Sequence, residues 1–325
     1  MQVAIVGSGA VGGYFGAKHA RAGHDVTFVA RGLHLAAIRE RGLTVRSTTG
    51  DFEEFTVQAR AVDRGEDVPA PDVAIFAVKS YSNAEALPLL GAVARDRALV
   101  LTLQNGVDSV DEIAGFVDRD RVLGGSTYVA TALAAPGLVE QTGTHQRIVF
   151  GEVAGRTGRR LSERVERLHQ AFIGADIESE PVVDARVPIW EKFCYLAPFA
   201  AFTGAARLPI GGLWSDPTTR QMMVAAFEEV ETVARGEGVS LPDGLVDRIS
   251  KYVDSIPPTT RSSLLIDLQQ GKPIEVEALV GAVVRRAARL GLAAPIMSAL
   301  YAALKPHASG VQRSFLTPLR SRNAR

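Results

Sequence analysis

The chain has 325 residues, about twice the length of an ordinary domain, which favours two domains. Lys plus Arg and Asp plus Glu both number 36, so the net charge is zero, which argues against nucleic acid or anionic lipid as a partner. The single cysteine, Cys194, excludes an intramolecular disulfide and fits a reducing cytoplasm, where we expect the protein to reside.

Targeting and membrane segments are not expected either. Residues 2–6 already have the composition of a strand, which leaves no room for a signal peptide. The most apolar segment, residues 193–206, is shorter than the roughly 20 residues of a membrane span and is interrupted by Pro198 and Gly204. The sequence therefore predicts a globular protein with no membrane association.

The first half of the chain alternates short apolar segments with helical patterns. Residues 12–21 and 83–93 have helical periodicity. The apolar segments are rich in Val, Ile and Leu throughout, as is typical of parallel strands covered on both faces. They comprise residues 3–6, 26–30, 73–78 and 99–103. This order predicts an α/β fold with a doubly wound parallel sheet.

Smaller elements complete this half. Residues 44–46 and 52–59 flank Thr49-Gly50 and predict a hairpin. Residues 161–172 form an amphipathic helical pattern, and residues 177–183 predict one last strand. We therefore expect a first domain over residues 1–183.

After about Asp184 the pattern becomes helical, which predicts a second, all-helical domain over residues 184–308. Asp216-Pro217 is an N-cap followed by proline at the first helical position. The predicted helices cover residues 218–235, a segment from Pro242 to Ser255, residues 275–290, and a short segment from Pro295.

The last residues, 309–325, form a basic tail without periodicity. A solvated, frayed terminus is the favoured explanation, and a binding element is the alternative. Its arginines are Arg313, Arg320, Arg322 and Arg325.

A glycine-rich G-x-G-x-x-G segment lies between the first strand and the first helix. It consists of Gly7, Ser8, Gly9, Ala10, Val11 and Gly12. In a dinucleotide-binding site, Gly7 permits the tight turn, Gly9 lets the backbone approach a pyrophosphate, and Gly12 lets helix and strand pack closely. The helix N-terminus offers N–H groups to the phosphates. A glycine-rich turn without a ligand is the alternative.

The residues after the next strands indicate which dinucleotide binds. NAD sites usually have an acidic residue at the end of the second strand, but this chain has Arg31 there, and Asp25 lies at the opposite end. A guanidinium at Arg31 suits a 2′-phosphate, and Lys79 adds a second cation at the same sheet edge. The pattern favours NADPH, although both residues can also be ordinary surface cations.

Asn105 ends the fifth strand-like segment, in Gln104-Asn105-Gly106-Val107, where ligands of such sheets bind. Its amide can hydrogen-bond a nicotinamide ribose or a substrate. A local Asn-Gly turn accounts for the same residues equally well.

The second half contains two candidate catalytic side chains. Lys192 lies on an apolar helical segment, where desolvation can make a lysine useful in acid–base chemistry. From these residues alone, a lysine that extends to the surface is the simpler explanation. Glu275 follows Pro273 at a predicted helix start, where the helix dipole stabilises a carboxylate in any case. His169 and His307 have no spacing that predicts a metal site, and Cys194 fits a small core residue.

Taken together, these motifs resemble those of the ketopantoate reductases (2-dehydropantoate 2-reductases). The resemblance covers nearly the whole chain. It rests on VAIVGSGAVGG at 3–13, VKSY at 78–81, QNGV at 104–107, WEKF at 190–193, RSSLLID at 261–267 and PIEVEA at 273–278.

The resemblance implies NADPH-dependent reduction of a 2-oxo acid to a 2-hydroxy acid, in pantothenate biosynthesis. It also implies a helical second domain like that of 6-phosphogluconate dehydrogenase. Lys192 matches the catalytic lysine and Glu275 the glutamate of the site. The remaining matches are Asn105 for cofactor and substrate, Ser263 for substrate, and Arg31 with Lys79 for the 2′-phosphate. Charge and position add Arg261 as a partner of the substrate carboxylate.

The sequence departs from the family at three positions. The resemblance leads us to expect asparagines four and eight residues after Lys192 and another further on, but the chain has Leu196, Ala200 and Ile210. Apolar side chains there favour a substrate with fewer polar groups, so a related reductase of another carbonyl or imine compound is an alternative. A non-enzymatic NADPH sensor is a second alternative. The helical domain could form a homodimer.

Overall fold

The computed structural model describes residues 1–95, 97–153 and 160–310. Ten strands lie in these residues: β1 (Gln2–Val6), β2 (Asp25–Val29), β3 (Leu43–Ser47), β4 (Phe55–Val57), β5 (Arg60–Val62), β6 (Val73–Phe76), β7 (Leu99–Thr102), β8 (Val122–Ala135), β9 (Leu138–Gly151) and β10 (Ser179–Val182). The α-helices are α1 (Ala10–Arg21), α2 (Gly32–Arg41), α3 (Asn83–Val93), α4 (Ser109–Ile113), α5 (Glu163–Gly174), α6 (Arg186–Ala206), α7 (Ile210–Trp214), α8 (Pro217–Gly236), α9 (Leu245–Ser255), α10 (Ser263–Gln269), α11 (Ala282–Leu290) and α12 (Pro295–Leu304).

The chain divides into two compact units. The first comprises Met1–Cys194 with Ala234–Asp243, and the second comprises Tyr195–Val233 with the residues from Gly244 onward. The domain boundary expected after residue 183 stays a prediction. The arginines of the basic tail lie outside the described residues.

All ten strands form one sheet in the first unit. Its order is β4-β3-β9-β8-β7-β6-β1-β2-β5, with β10 paired to β9. The strands from β5 to β8 along this path pair in parallel, whereas β8–β9 and β3–β4 are antiparallel. The predicted α/β class with a parallel sheet and a helical second unit is confirmed.

Side chains of β1 explain why its sequence is apolar throughout. Val3 and Ile5 belong to one buried hydrophobic cluster, and Ala4 and Val6 belong to a second one. Successive residues of a strand point to opposite faces of the sheet, so each face of β1 contributes to a separate core. Neither face tolerates the polar alternation of a strand that is exposed on one side.

The largest difference from the sequence-based prediction is the hairpin of β8 and β9. Each strand has 14 residues, yet β8 is composed mostly of Gly, Ala, Ser and Thr, and its last four residues are exposed. It therefore lacks the Val- and Ile-rich signal that identified the other strands. The predicted 44–46/52–59 hairpin is present as β3–β4, and β3 also pairs in parallel with β9.

The second unit is helical, as predicted, with small shifts of boundaries. Asp216 Oδ1 accepts a hydrogen bond from the Thr219 N–H at 2.8 Å and caps α8. Helix α9 begins three residues after Pro242, because Gly244 adopts a left-handed conformation with φ of 66°. The helix predicted over 275–290 begins instead with a π-helical segment, Glu277–Gly281, which precedes α11. In the described part of the chain, no helix is both long and apolar enough to span a membrane.

Two histidines, one in the last turns of α1 and one just before β2, lie side by side. His19 is fully buried, and its Nδ1 lies 2.8 Å from Nδ1 of His24. Among the described residues, its Nε2 has no hydrogen-bond partner. Burial first, and His24 second, lower the pKa of His19 from 6.5 to about 3. The folded protein therefore holds this ring neutral in the pH range in which the unfolded chain protonates it.

This shift predicts a loss of stability in acid. Below pH 6.5 the unfolded state binds the proton that folded His19 refuses, so the unfolding free energy falls by up to about 1.4 kcal/mol per pH unit. His19→Phe removes this titrating group, so the fall in urea-unfolding stability between pH 6 and 4.5 should be clearly less steep than in the wild type. His145→Gln alters an exposed histidine and should keep the wild-type slope. An unchanged slope in His19→Phe would contradict this assignment.

Candidate active site

The glycine segment turns from β1 into α1, and its three motif glycines meet different surroundings. Gly7 has φ of 96°, and a Cβ there would lie 2.6 Å from the backbone N of Val78. A Cβ on Gly12 would lie 2.2 Å from the carbonyl O of Gly7. A Cβ on Gly9 would have no atom within 4 Å. Two glycines are thus required by packing, whereas Gly9 borders open space.

The rest of the segment is held against the sheet. Ser8 is buried, and its Oγ donates to the carbonyl O of Val29 in β2 at 3.0 Å. Ala10 and Val11 form the first turn of α1 and are half-buried. The first N–H groups of a helix have no partner within the helix, so this terminus can receive an anion. The segment fits a pyrophosphate that approaches at Gly9.

Both predicted cations follow strands adjacent to β1. Arg31 precedes α2, is 77% exposed, and donates from Nη1 to Glu85 Oε2 at 2.5 Å. Lys79 comes three residues after β6, is half-buried, and accepts the Ser82 N–H through its carbonyl O at 2.8 Å. Strands β2 and β6 flank β1 in parallel, so both residues emerge at the edge where the glycine segment begins. Exposed ion pairs contribute little free energy, so Arg31 can exchange Glu85 for a phosphate.

Lys192 and Asn105 are brought together although they are 87 positions apart. Lys192 Nζ, on α6, donates to Asn105 Oδ1 at 3.0 Å and to the carbonyl O of Thr127 at 2.7 Å. The same ammonium lies 5.5 Å from the centre of the Tyr128 ring, a cation–π distance. The lysine is half-buried. Because Asn105 follows β7, the hydrogen bond to it holds the ammonium beside the carboxyl end of that strand.

The sequence analysis did not identify Tyr128 and Thr127 as site residues, because they lie on β8, which was not predicted as a strand owing to its many small residues. Burial raises the pKa of the Tyr128 hydroxyl above its ordinary value of 10.0. The phenol therefore stays protonated and neutral, and its ring rather than its charge faces the lysine.

A buried amide network lies directly before Asn105. Gln104 Nε2 donates to the carbonyl O of Val78 at 2.9 Å and to Asn83 Oδ1 at 2.7 Å. Asn83 Nδ2 in turn donates to Glu112. These bonds join the segments that follow β6 and β7, so they fix the backbone on which Asn105 stands. Among the described residues, Gln104 Oε1 has no hydrogen-bond partner.

The other predicted site residues belong to the second unit. Glu275 is 5% exposed and precedes the π-helical segment, and its carbonyl O accepts the Leu279 N–H at 3.1 Å. Ser263 is the exposed first residue of α10, whereas its neighbour Ser262 is buried and caps that helix through the Leu265 N–H. Arg261 is exposed and donates to Gln269 at 3.2 Å.

Cys194 is fully buried, in agreement with a role in the core. In the described ranges, no group of three His, Cys, Asp or Glu side chains is arranged to hold a metal ion.

The fold and the glycine segment together define a Rossmann-type dinucleotide-binding domain. Residues 3–155 match the family model "Ketopantoate reductase PanE/ApbA", and residues 184–308 match the model of its C-terminal part. The chain therefore belongs to the ketopantoate reductase family and is an oxidoreductase that uses a nicotinamide cofactor.

Relatives of similar length support this assignment. The chain is 30% identical to a 2-dehydropantoate 2-reductase of Nostoc, over 93% of each chain. It is 29% identical to the uncharacterized oxidoreductase YkpB of Bacillus subtilis, over 94% of this chain and 98% of that one. A crystal structure of a PanE/ApbA family ketopantoate reductase from Ralstonia eutropha has a TM-score of 0.84 and 32% identity, over 94% and 98% of the two chains.

The different surroundings of Gly12 and Gly9 allow the same substitution, glycine to alanine, to test packing at one position and cofactor binding at the other. Gly12→Ala places a methyl group against the Gly7 carbonyl and should lower the unfolding free energy by about 1–3 kcal/mol. Gly9→Ala meets open space and should change stability little, yet it should weaken NADPH binding because the methyl group occupies the predicted pyrophosphate approach. Urea unfolding and fluorescence titration measure the two effects. A Gly9→Ala protein with unchanged affinity would contradict the predicted approach.

Proposed function

We propose that this protein is an NADPH-dependent reductase that converts a 2-oxo acid to the corresponding 2-hydroxy acid, with 2-dehydropantoate as the leading substrate. The observation that carries the proposal is the hydrogen bond between Lys192 and Asn105. It supports a role for Lys192 as proton donor, because Asn105 follows β7 at the carboxyl edge of the sheet, where ligands of such sheets bind. Relatives named 2-dehydropantoate 2-reductase support the choice of substrate.

The cofactor is held at three places. The N–H groups at Gly9 and the start of α1 bind the pyrophosphate, and Arg31 with Lys79 binds the 2′-phosphate. Asn105 hydrogen-bonds the nicotinamide ribose or the substrate. When bound, the cofactor supplies the hydride that reduces the carbonyl carbon.

Lys192 provides the proton that completes the reduction. Its ammonium stabilises the negative charge that develops on the carbonyl oxygen and donates a proton to that oxygen. The neutral amine that remains is reprotonated from solvent. Asn105 and the Thr127 carbonyl orient the ammonium, since both accept hydrogen bonds from it. An alcohol is the product.

Residues of the second unit are proposed to contact the substrate. Glu275 holds a substrate or ribose hydroxyl. Ser263 and Arg261 receive the substrate carboxylate, for which a guanidinium and a hydroxyl are suitable donors.

A less polar carbonyl or imine compound is a second candidate substrate. In α6, Leu196 and Ala200 follow Lys192 by four and eight residues, a spacing that keeps side chains on one face of a helix. Ile210 is buried at the start of α7. None of the three can hydrogen-bond a substrate hydroxyl, so they favour a substrate that needs no such partner.

The choice between NADPH and NADH tests the role of Arg31. Arg31→Ala should reduce the preference for NADPH over NADH by about 10- to 100-fold, because one or two charge-assisted hydrogen bonds to the 2′-phosphate are lost. Glu85→Gln removes the carboxylate that now pairs with Arg31 and should retain or increase that preference. The measurement is kcat/KM for both cofactors. An unchanged ratio in Arg31→Ala would remove Arg31 from the cofactor site.

The central experiment is oxidation of NADPH at saturation with 2-dehydropantoate and with a panel of less polar 2-oxo acids, ketones and imines. Lys192→Ala should lower kcat by about 10²- to 10⁴-fold, the usual contribution of a general acid. Lys251→Ala, which alters an exposed lysine on α9, is the control and should keep the wild-type rate.

Each outcome has a distinct meaning. Turnover of 2-dehydropantoate supports the leading substrate, and turnover of only less polar compounds supports the second candidate. NADPH binding without turnover of any compound would contradict the enzymatic proposal and favour a sensor. A Lys192→Ala protein that retains the wild-type rate would contradict the role of the lysine.

A further inference from the structure

His34 lies in the first turn of α2 and joins two segments that are distant in the sequence. Its Nε2 lies 2.6 Å from the carbonyl O of Ser8, in the glycine segment. Its Nδ1 accepts the N–H of Gly137, in the turn between β8 and β9, at 3.0 Å. The ring thus connects the glycine segment with the turn of the β8–β9 hairpin.

The partners of His34 determine its tautomer. Because Nδ1 accepts a hydrogen bond from a backbone N–H, the ring proton must be on Nε2, which donates it to the Ser8 carbonyl. Burial lowers the pKa of His34 below its ordinary value of 6.5, so the ring is neutral at pH 7. Both bonds are therefore satisfied by one protonation state.

The bond to Ser8 determines where the next N–H group points. The carbonyl of Ser8 and the N–H of Gly9 belong to one planar trans peptide unit, so they point in opposite directions. His34 holds the carbonyl on its own side, and the Gly9 N–H consequently points away from α2. Gly9 is also the motif glycine that borders open space.

We infer that His34 is a positioning residue for the cofactor: through its hydrogen bond to the Ser8 carbonyl, it orients the Gly9 N–H as a donor to the pyrophosphate. The inference rests on the proposed binding of NADPH at the glycine segment. Preorganised backbone donors bind an anion more tightly, because no reorientation is needed on binding.

Two substitutions separate the two bonds of the ring. In His34→Gln, the amide nitrogen can occupy the place of Nε2 and keep the bond to Ser8. In His34→Asn, the shorter side chain places its oxygen near Nδ1, so it keeps the bond from Gly137 and loses the one to Ser8. If the role of His34 is only to link α2 to the β8–β9 turn through the bond from Gly137, His34→Asn rather than His34→Gln should retain NADPH binding.

Binding is measured by titration with NADPH and with adenosine 2′-monophosphate, a fragment that has the 2′-phosphate but no pyrophosphate. For His34→Asn we expect an NADPH Kd about tenfold weaker, from the loss of one hydrogen bond, and unchanged binding of the fragment. His34→Gln should bind both as the wild type does. In turnover, His34→Asn should raise the KM for NADPH without lowering kcat at saturation, and thermal unfolding shows whether each variant is folded.

Three outcomes would overturn the inference. The first is wild-type NADPH affinity in His34→Asn, and the second is a larger loss of NADPH affinity in His34→Gln than in His34→Asn. The third is a loss of affinity for adenosine 2′-monophosphate as large as the loss for NADPH, which would indicate displacement of Arg31 instead. Failure of the wild-type chain to bind NADPH would contradict the proposed function, and this inference with it.

Discussion

The parallel pairing of β1 with both β2 and β6 is the constraint on which the dinucleotide site depends. Residues of β1 pair one by one with those of β2 and β6, so the three strands end at the same level. Gly7, Arg31 and Lys79 follow these strand ends and consequently emerge along one edge. The absence of a Cβ at Gly12 then lets α1 pack close to the sheet and bring its N-terminus to that edge.

The electrostatics of this edge differ from one place to another. Arg31 forms an exposed ion pair with Glu85, which contributes little to stability and can be replaced by a ligand phosphate. Lys192 donates hydrogen bonds to the Asn105 side chain and the Thr127 carbonyl, and its ammonium also lies near the Tyr128 ring. These contacts orient the ammonium, and a positive charge in a fixed position can stabilise an oxygen that becomes negative during reduction. The two cations are therefore suited to different tasks, one to binding and the other to chemistry.

The parts of the fold that the sequence predicts are those with a local physical cause. Strand β1 is apolar throughout because both its faces are buried, and α8 begins at Pro217 because Asp216 caps it. Strand β8 was missed because its small residues carry no strand signal, although it supplies Thr127 and Tyr128 to the site. A local pattern also cannot pair Lys192 with Asn105 or His34 with Ser8, since those contacts form only when the sheet assembles. For Lys192 the family resemblance supplied the missing information, and for His34 no sequence motif did.

The apolar residues that follow Lys192 on α6 have an asymmetric effect on specificity. A pocket built to hydrogen-bond a hydroxyl strongly rejects a substrate that lacks it, because buried polar groups are then left without partners. An apolar pocket discriminates much less strongly against a substrate with an added hydroxyl, by a factor of only about 10². Leu196 and Ala200 should therefore broaden the range of accepted 2-oxo acids rather than exclude 2-dehydropantoate. Under the proposed function, Lys192 determines the reaction, and the apolar residues at these positions determine how little the enzyme discriminates among substrates.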